Sequence, residues 1–192
     1  MKPEINFPDE FPVLETERLS LTAFTPNDVE NFFNLRSDED FMMYLGLHPL
    51  KKKSEARSRV HDIIHDFDTE KGLNWKIAMK GKEDLIGYVG FWKIDYRHAR
   101  AEIGFGLDQD HQQNGYMTEA MTEVVNYGFG QFGVNSIKAE VDPRNEGSIQ
   151  LLLNSGFKKE GHFRENYYFD GEFLDSEYYC MIRSDWEKLK EE

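Results

Sequence analysis

Cysteine is nearly absent: Cys180 stands alone among 192 residues, so no internal disulfide can form and no metal cluster can rest on thiolates alone. That suits a reducing compartment, and the expected location is the cytoplasm. Long apolar runs are missing as well. Nothing approaches the roughly 18 consecutive apolar residues of a membrane span, and the opening residues lack the apolar core of a signal peptide, so neither membrane association nor secretion is expected. Basic residues number 23 against 36 acidic ones, a formal net charge of −13. Such a surface repels a phosphate backbone, which argues against direct nucleic-acid binding and favours a cationic partner. Internal repeats, linkers and low-complexity tracts are also lacking.

What is present suffices for one folded domain: 39% of the residues are hydrophobic and 14% aromatic. Residues 1–15 contain Pro3, Pro8 and Pro12 and read as an irregular lead-in. Residues 16–187 read as the domain and 188–192 as a charged tail. Alternating or β-branched runs predict strands at 18–24, 74–79, 85–94, 100–107, 136–141, 157–169 and 172–182, the last two joined by an Asp170-Gly171 turn. Thr25-Pro26 reads as the N-cap and first residue of a helix, and Val60, Ile63, Ile64 and Phe67 mark the apolar side of a second. Met117, Ala120, Met121, Val124 and Val125 follow helical spacing in a third, and shorter helices are expected at 145–154 and from Ser184. Without a strict strand-helix-strand repeat, this order predicts the α+β (mixed α/β) class, with a central twisted seven-stranded mixed sheet flanked by helices.

The most informative stretch runs from Arg100 to Tyr127. A strand ending at Leu107 leads through residues 108–114 into Gly115-Tyr116 and the long amphipathic helix. The first turn of a helix leaves about four backbone N–H groups unpaired and carries roughly half a positive charge, so a pyrophosphate can dock there without a lysine. Other patterns weaken on inspection. Gly128 to Gly133 spells G-x-G-x-x-G, but a dinucleotide site needs a strand before that motif and a helix after it. Here the order is reversed, and the glycines read as a helix stop. His61 and His65 share a helix face like zinc ligands, yet Asp62 stands where the general-base glutamate would be and no third ligand is evident, so a solvated edge and no metal site is expected. Lys51-Lys52-Lys53 reads as a solvated charge run.

Several pieces then fall in order: Glu15-Thr16-Glu17-Arg18-Leu19, Ile86-Gly87, Ala101-Glu102-Ile103-Gly104-Phe105, Gln112 to Met117 followed by Thr118-Glu119-Ala120, Asn145-Glu146-Gly147-Ser148-Ile149, and Gly156-Phe157. In this set the chain resembles the GNAT superfamily of acetyl-CoA-dependent N-acetyltransferases, and within it the ribosomal-protein N-terminal acetyltransferases of RimJ/RimL type. The resemblance spans about residues 16–186. It implies an acyl-CoA N-acyltransferase fold with acetyl-CoA as co-substrate and no metal. Amides of Gln112, Gln113, Asn114, Gly115, Tyr116 and Met117 would hold the pyrophosphate. Ile103, Gly104 and Phe105 would pair with the pantetheine arm beside a bulge at Gly104 to Gly106, and Asn145 would cap the next helix while bonding the arm.

For the reaction, the resemblance implies direct attack of a neutral amine on the thioester. Glu102, or a water ordered by Glu140 or Glu165, is the candidate base, and Ser148 is the candidate proton donor to the thiolate, with Tyr167 and Tyr168 as runners-up. Tyr167 and Tyr168 are candidate acceptor contacts. The expected acceptor is a protein N-terminus; a polyamine, amino acid or amine drug is the alternative, and a non-catalytic acyl-CoA-binding module a third reading. Monomer and homodimer both remain open. Two departures stand out. Met117 replaces the final small residue of the acyl-CoA turn, and Leu152 occupies the position where many relatives place an acidic tyrosine.

Overall fold

The computed structural model describes residues 4–191. Eight strands form one sheet: β1 (Leu14–Glu15), β2 (Leu19–Ala23), β3 (Leu73–Met79), β4 (Gly87–Asp95), β5 (Arg100–Leu107), β6 (Ser136–Val141), β7 (Lys158–Phe169) and β8 (Glu172–Ile182). Their order is β1-β2-β3-β4-β5-β6-β8-β7, and every pairing is antiparallel except β5 with β6. The mixed α/β class is as expected, while the strand count rises from seven to eight. The extra strand, β1, is a two-residue pairing of Leu14–Glu15 with Leu21 and Ser20, too short to leave a period in the sequence.

Six α-helices accompany the sheet: α1 (Val29–Ser37), α2 (Glu39–Met42), α3 (Lys53–Asp68), α4 (Tyr116–Tyr127), α5 (Glu146–Asn154) and α6 (Arg183–Leu189). The last runs two residues into the segment read as a charged tail; Glu192 and residues 1–3 lie outside the described residues. The lead-in is not merely irregular. Ile5 is buried, Phe7 and Phe11 pack on the main core, and Pro12 accepts a hydrogen bond from the Trp75 indole at 2.7 Å.

Strand alternation gives the sheet two apolar faces. On one, Leu19, Leu21, Trp75, Ile77, Val89 and Phe91 meet Met117, Ala120, Met121, Val124 and Val125 of α4, the spacing read from the sequence. On the other, Phe24, Leu85 and Tyr88 meet Phe32, Leu35, Ala56 and Val60 from α1 and α3. Asp28 anchors that second layer: it accepts bonds from Thr25 N–H and hydroxyl at 2.6 and 2.9 Å and pairs with buried Lys76 at 2.8 Å. Burying such a pair is tolerable because each remaining lone pair finds a donor. Gly128 to Phe132 forms a π turn that continues α4 and closes on left-handed Gly133, so these glycines do end a helix. His61 and His65 are both exposed on α3.

Candidate active site

The parallel pairing of β5 with β6 stops at Glu102 opposite Lys138. Beyond it β5 continues for five residues to Leu107, and its edge toward β6 is free of ladder partners. Two strands that part in this way leave a wedge lined by unpaired backbone groups. A cavity of about 470 Å³ occupies it. Phe105, Gly106 and Leu107 line one wall; Gln112, Gln113, Gly115, Tyr116, Met117 and Thr118 form one end; Asn145, Gly147, Ser148 and Leu151 line the opposite wall. The fourth side comes from Asp40, Phe41, Tyr44 and Leu45, on α2 and the turn after it.

The glycine-headed turn is built for open donors. Gly115 sits at the N-cap with φ 78° and supplies no side-chain cap. The backbone bond Glu119 N–H to Gly115 C=O, 3.0 Å, is the first rung of the α4 ladder, which leaves the amides of Tyr116, Met117 and Thr118 ahead of it. Gln113 is also left-handed, at φ 60°. A non-glycine residue there costs on the order of 1 kcal/mol and persists only when its surroundings hold it. They do: the Gln112 amide donates to Leu107 C=O at 3.0 Å, tying the turn to the end of β5, and the Asn114 amide donates to Gln112 C=O at 2.8 Å. Met117 does not crowd the opening, because its side chain turns into the core and is 9% exposed.

On the facing wall, Asn145 Oδ1 accepts from Ser148 N–H at 3.0 Å and so caps α5. This cap places Asn145 and Ser148 together on the cavity wall. Leu152 lies fully buried in the core and offers no group to the cavity. Tyr44 presents a phenol from the other side.

Several expected site residues lie elsewhere. Glu102 is buried beneath a Lys138 ion pair at 2.9 Å and faces a separate hollow of about 190 Å³ with Lys93, Asp95 and Arg100. It sits three to four residues below Phe105 and Gly106, about 10–13 Å along the strand, too far for proton transfer there. Glu165 is exposed on β7, its N–H donating to Asp175 at 2.8 Å. The expected bulge at Gly104 to Gly106 is instead on the neighbouring strand, where the register shifts between Phe91 and Lys93. Glycines remain necessary in β5 for another reason: a Cβ on Gly106 would come within 2.5 Å of Phe41. That close approach brings α2 onto the cavity.

Tyr167 and Tyr168 point to opposite faces of their strand. Tyr167 packs over Gly46 and donates to Asp142 at 3.4 Å, outside the cavity lining, while Tyr168 is 63% exposed and stacks edge-on with Phe173. Asp142 is buried against Arg144, and although burial opposes its charge, the Arg144 bonds hold its carboxyl below the ordinary range. Burial pushes Tyr167 up, with the Asp142 charge adding to it. The Cys180 thiol is driven to about 12 by burial and then by Glu160, and it lies outside the cavity, so it is no nucleophile. Asp40, Tyr44 and their helix escaped the sequence reading; the only local signal was the Asp38 cap, which accepts from Phe41 N–H at 2.7 Å.

A sheet parted between parallel strands, beside an uncapped helix start, makes a cleft suited to an extended ligand that carries a phosphate group. Comparison with known proteins sharpens this. The acetyltransferase (GNAT) domain family matches residues 18–158, and the chain belongs to that family. It is 35% identical over 173 residues to the uncharacterized N-acetyltransferase YoaA of Bacillus subtilis (strain 168), covering 90% of this chain and 98% of YoaA. It is 33% identical over 171 residues to the ribosomal-protein-serine acetyltransferase of Escherichia coli (strain K12), covering 87% and 94%. The fold matches a spermidine N-acetyltransferase from Vibrio cholerae, solved with CoA and spermine, with a TM-score of 0.78 at 24% identity, covering 88% of this chain and 97% of that one. The protein is an acetyl-CoA-dependent N-acetyltransferase that acts on an amine. Among the described residues no helix is long and apolar enough to cross a membrane.

Proposed function

We propose that the acceptor is the free α-amino group of a peptide or protein N-terminus. One observation carries this reading: among the described residues lining the cavity, none is a histidine or a glutamate, and Asp40 is the one acidic or basic side chain. Direct attack needs a neutral amine. An α-amino group, with a pKa near 8, is already partly neutral at physiological pH, whereas a lysine or polyamine amine near 10.4 needs a base the cavity does not offer. Asp40, exposed at the mouth, would attract the ammonium form, which then loses its proton to solvent. The aromatic β7–β8 hairpin, with Tyr167 over Gly46, suits the residues that follow an N-terminus.

On the donor side, the amides of Gly115 to Thr118 would hold the pyrophosphate, which fits their uncapped geometry. The free edge of β5 from Ile103 to Leu107 would pair with the pantetheine arm, and a backbone N–H near Phe105 would receive the thioester oxygen as it gains charge. When the amine attacks, the carbon–sulfur bond breaks, the acetyl group passes to nitrogen and the thiolate takes a proton. Ser148 or Tyr44, two of the hydroxyl-bearing residues that line the cavity, would deliver it, and a thiol pKa near 8.5 makes modest help sufficient.

Asp40 also favours a second reading, a polyamine whose distal ammonium pairs with it, in line with the spermidine relative. Thiol release with an alanine-initiated peptide, its Nα-acetylated form bearing a lysine, and spermidine separates the two. Turnover of the free N-terminus at least tenfold above the others supports the first. Preference for spermidine would replace it with the second.

A further inference from the structure

Two motifs in the sequence, Thr16-Glu17-Arg18-Leu19 and Thr118-Glu119-Ala120, have no role in the chemistry above, yet they meet in space. Arg18 lies in the bend just before β2, about 100 residues before the helix it touches. Its Nε and Nη2 lie 2.7 and 2.6 Å from Glu119 Oε2, and its backbone N–H donates to Glu119 Oε1 at 2.9 Å. The Thr16 hydroxyl donates to that same Oε1. The remaining arm, Nη1, donates to Asn114 C=O at 2.9 Å, and the guanidinium lies 4.5 Å from the centre of the Tyr116 ring. Burial works against the charged form of Glu119, but the bonds from Thr16 and Arg18 hold its carboxyl below the ordinary value.

Asn114 lies between the left-handed residues Gln113 and Gly115, so its carbonyl is the lever on which the turn's shape depends. We propose that Arg18 is a positioning residue for the acyl donor, using Glu119 as its anchor and the Asn114 carbonyl as its hold on the turn. Three of its five N–H donors are engaged by Glu119 and Asn114, and its charge is balanced by the carboxylate. Its hold on the Asn114 carbonyl is what reaches the amides of the turn. A planar fork suits this task, because one group must reach a carboxylate, a carbonyl and an aromatic face together. A Cβ at Gly115 would lie 3.4 Å from Arg18 Nη2, in ordinary contact, so it is the left-handed φ of 78° that favours glycine beside the clamp.

The inference rests on the reading that this turn holds pyrophosphate, and the test separates the two. CoA binding is measured by calorimetry and binding of pantetheine, which lacks the pyrophosphate and nucleotide, by ligand-detected NMR. In Arg18→Gln the dissociation constant for CoA should rise tenfold or more while that for pantetheine stays within twofold. Arg18→Lys should restore only part of the loss, since a single ammonium cannot make the fork. CoA affinity within twofold of the original in Arg18→Gln would overturn the proposal, as would equal weakening of both ligands, which marks general damage to the cleft. If the unaltered protein binds CoA no better than pantetheine, the pyrophosphate reading itself fails and the proposal falls with it.

Discussion

The two sides of the cleft are built differently. The donor side is a set of mutually bonded short pieces: Gln112 tied to β5, Asn114 held by Arg18, Glu119 saturated by three groups from β2 and its approach, and Asn145 capping α5. The proposed acceptor side is a four-residue helix with exposed Asp40, a half-buried Tyr44 and a long hairpin whose outer strand, β7, is an edge of the sheet. A CoA pyrophosphate and pantetheine are invariant, so a preorganised backbone cradle serves every turnover. The acceptor is what one acetyltransferase must choose differently from another, and its side is assembled from side chains on short, replaceable segments.

This contrast can be broken at its strongest point first. Gly115→Val forces a branched side chain into a left-handed position beside Arg18 and should cut kcat/KM for acetyl-CoA by two orders of magnitude, measured by thiol release. Next, Asp40→Asn should raise KM for a cationic acceptor about threefold and leave KM for acetyl-CoA unchanged, since an exposed ion pair is worth about 0.2–1 kcal/mol. A matching rise in both would erase the distinction between the sides.

Asn145→Ala should lose about 1 kcal/mol of stability with the α5 cap, seen as a lower urea midpoint, and should also weaken CoA binding. The Arg18–Glu119 contact has an acid limit. Because the folded-state pKa of Glu119 lies below its ordinary 4.5, its contribution is complete above that value and fades as pH falls through the lowered one. CoA affinity should therefore carry an acid-side step that Glu119→Gln removes. The smallest effect is expected at Glu102→Gln, with acetyl transfer within about twofold despite some loss of stability, because its partner Lys138 lies outside the cavity wall.

The same division explains what could be read from residue order. Gly115, Asn145 and the α4 stripe announce themselves because a left-handed turn, an N-cap and a helical face are local demands on residue type. The strands at 100–107, 136–141 and 172–182 were legible to the residue for the same reason. Asp40 and Tyr44 were not, since a single helical turn has too few residues for a period and reaches the cavity only through the approach of Phe41 to Gly106. Glu102 misled because adjacency in sequence to Ile103 and Gly104 says nothing of where two strands begin to part. The bulge was displaced onto β4 because a glycine-rich strand signals close approach as readily as irregularity; a Cβ on Gly104 would sit 3.2 Å from Trp92.

The central claim is that bare backbone amides at the start of α4 receive the donor's pyrophosphate. Amide chemical shifts of the isotope-labelled protein during a CoA titration test it residue by residue. The account predicts the largest shifts at Gly115, Tyr116, Met117 and Thr118, followed by Phe105 to Leu107, with the β7–β8 hairpin little changed. Shifts concentrated on the hairpin, with those four amides unmoved at saturation, would contradict it.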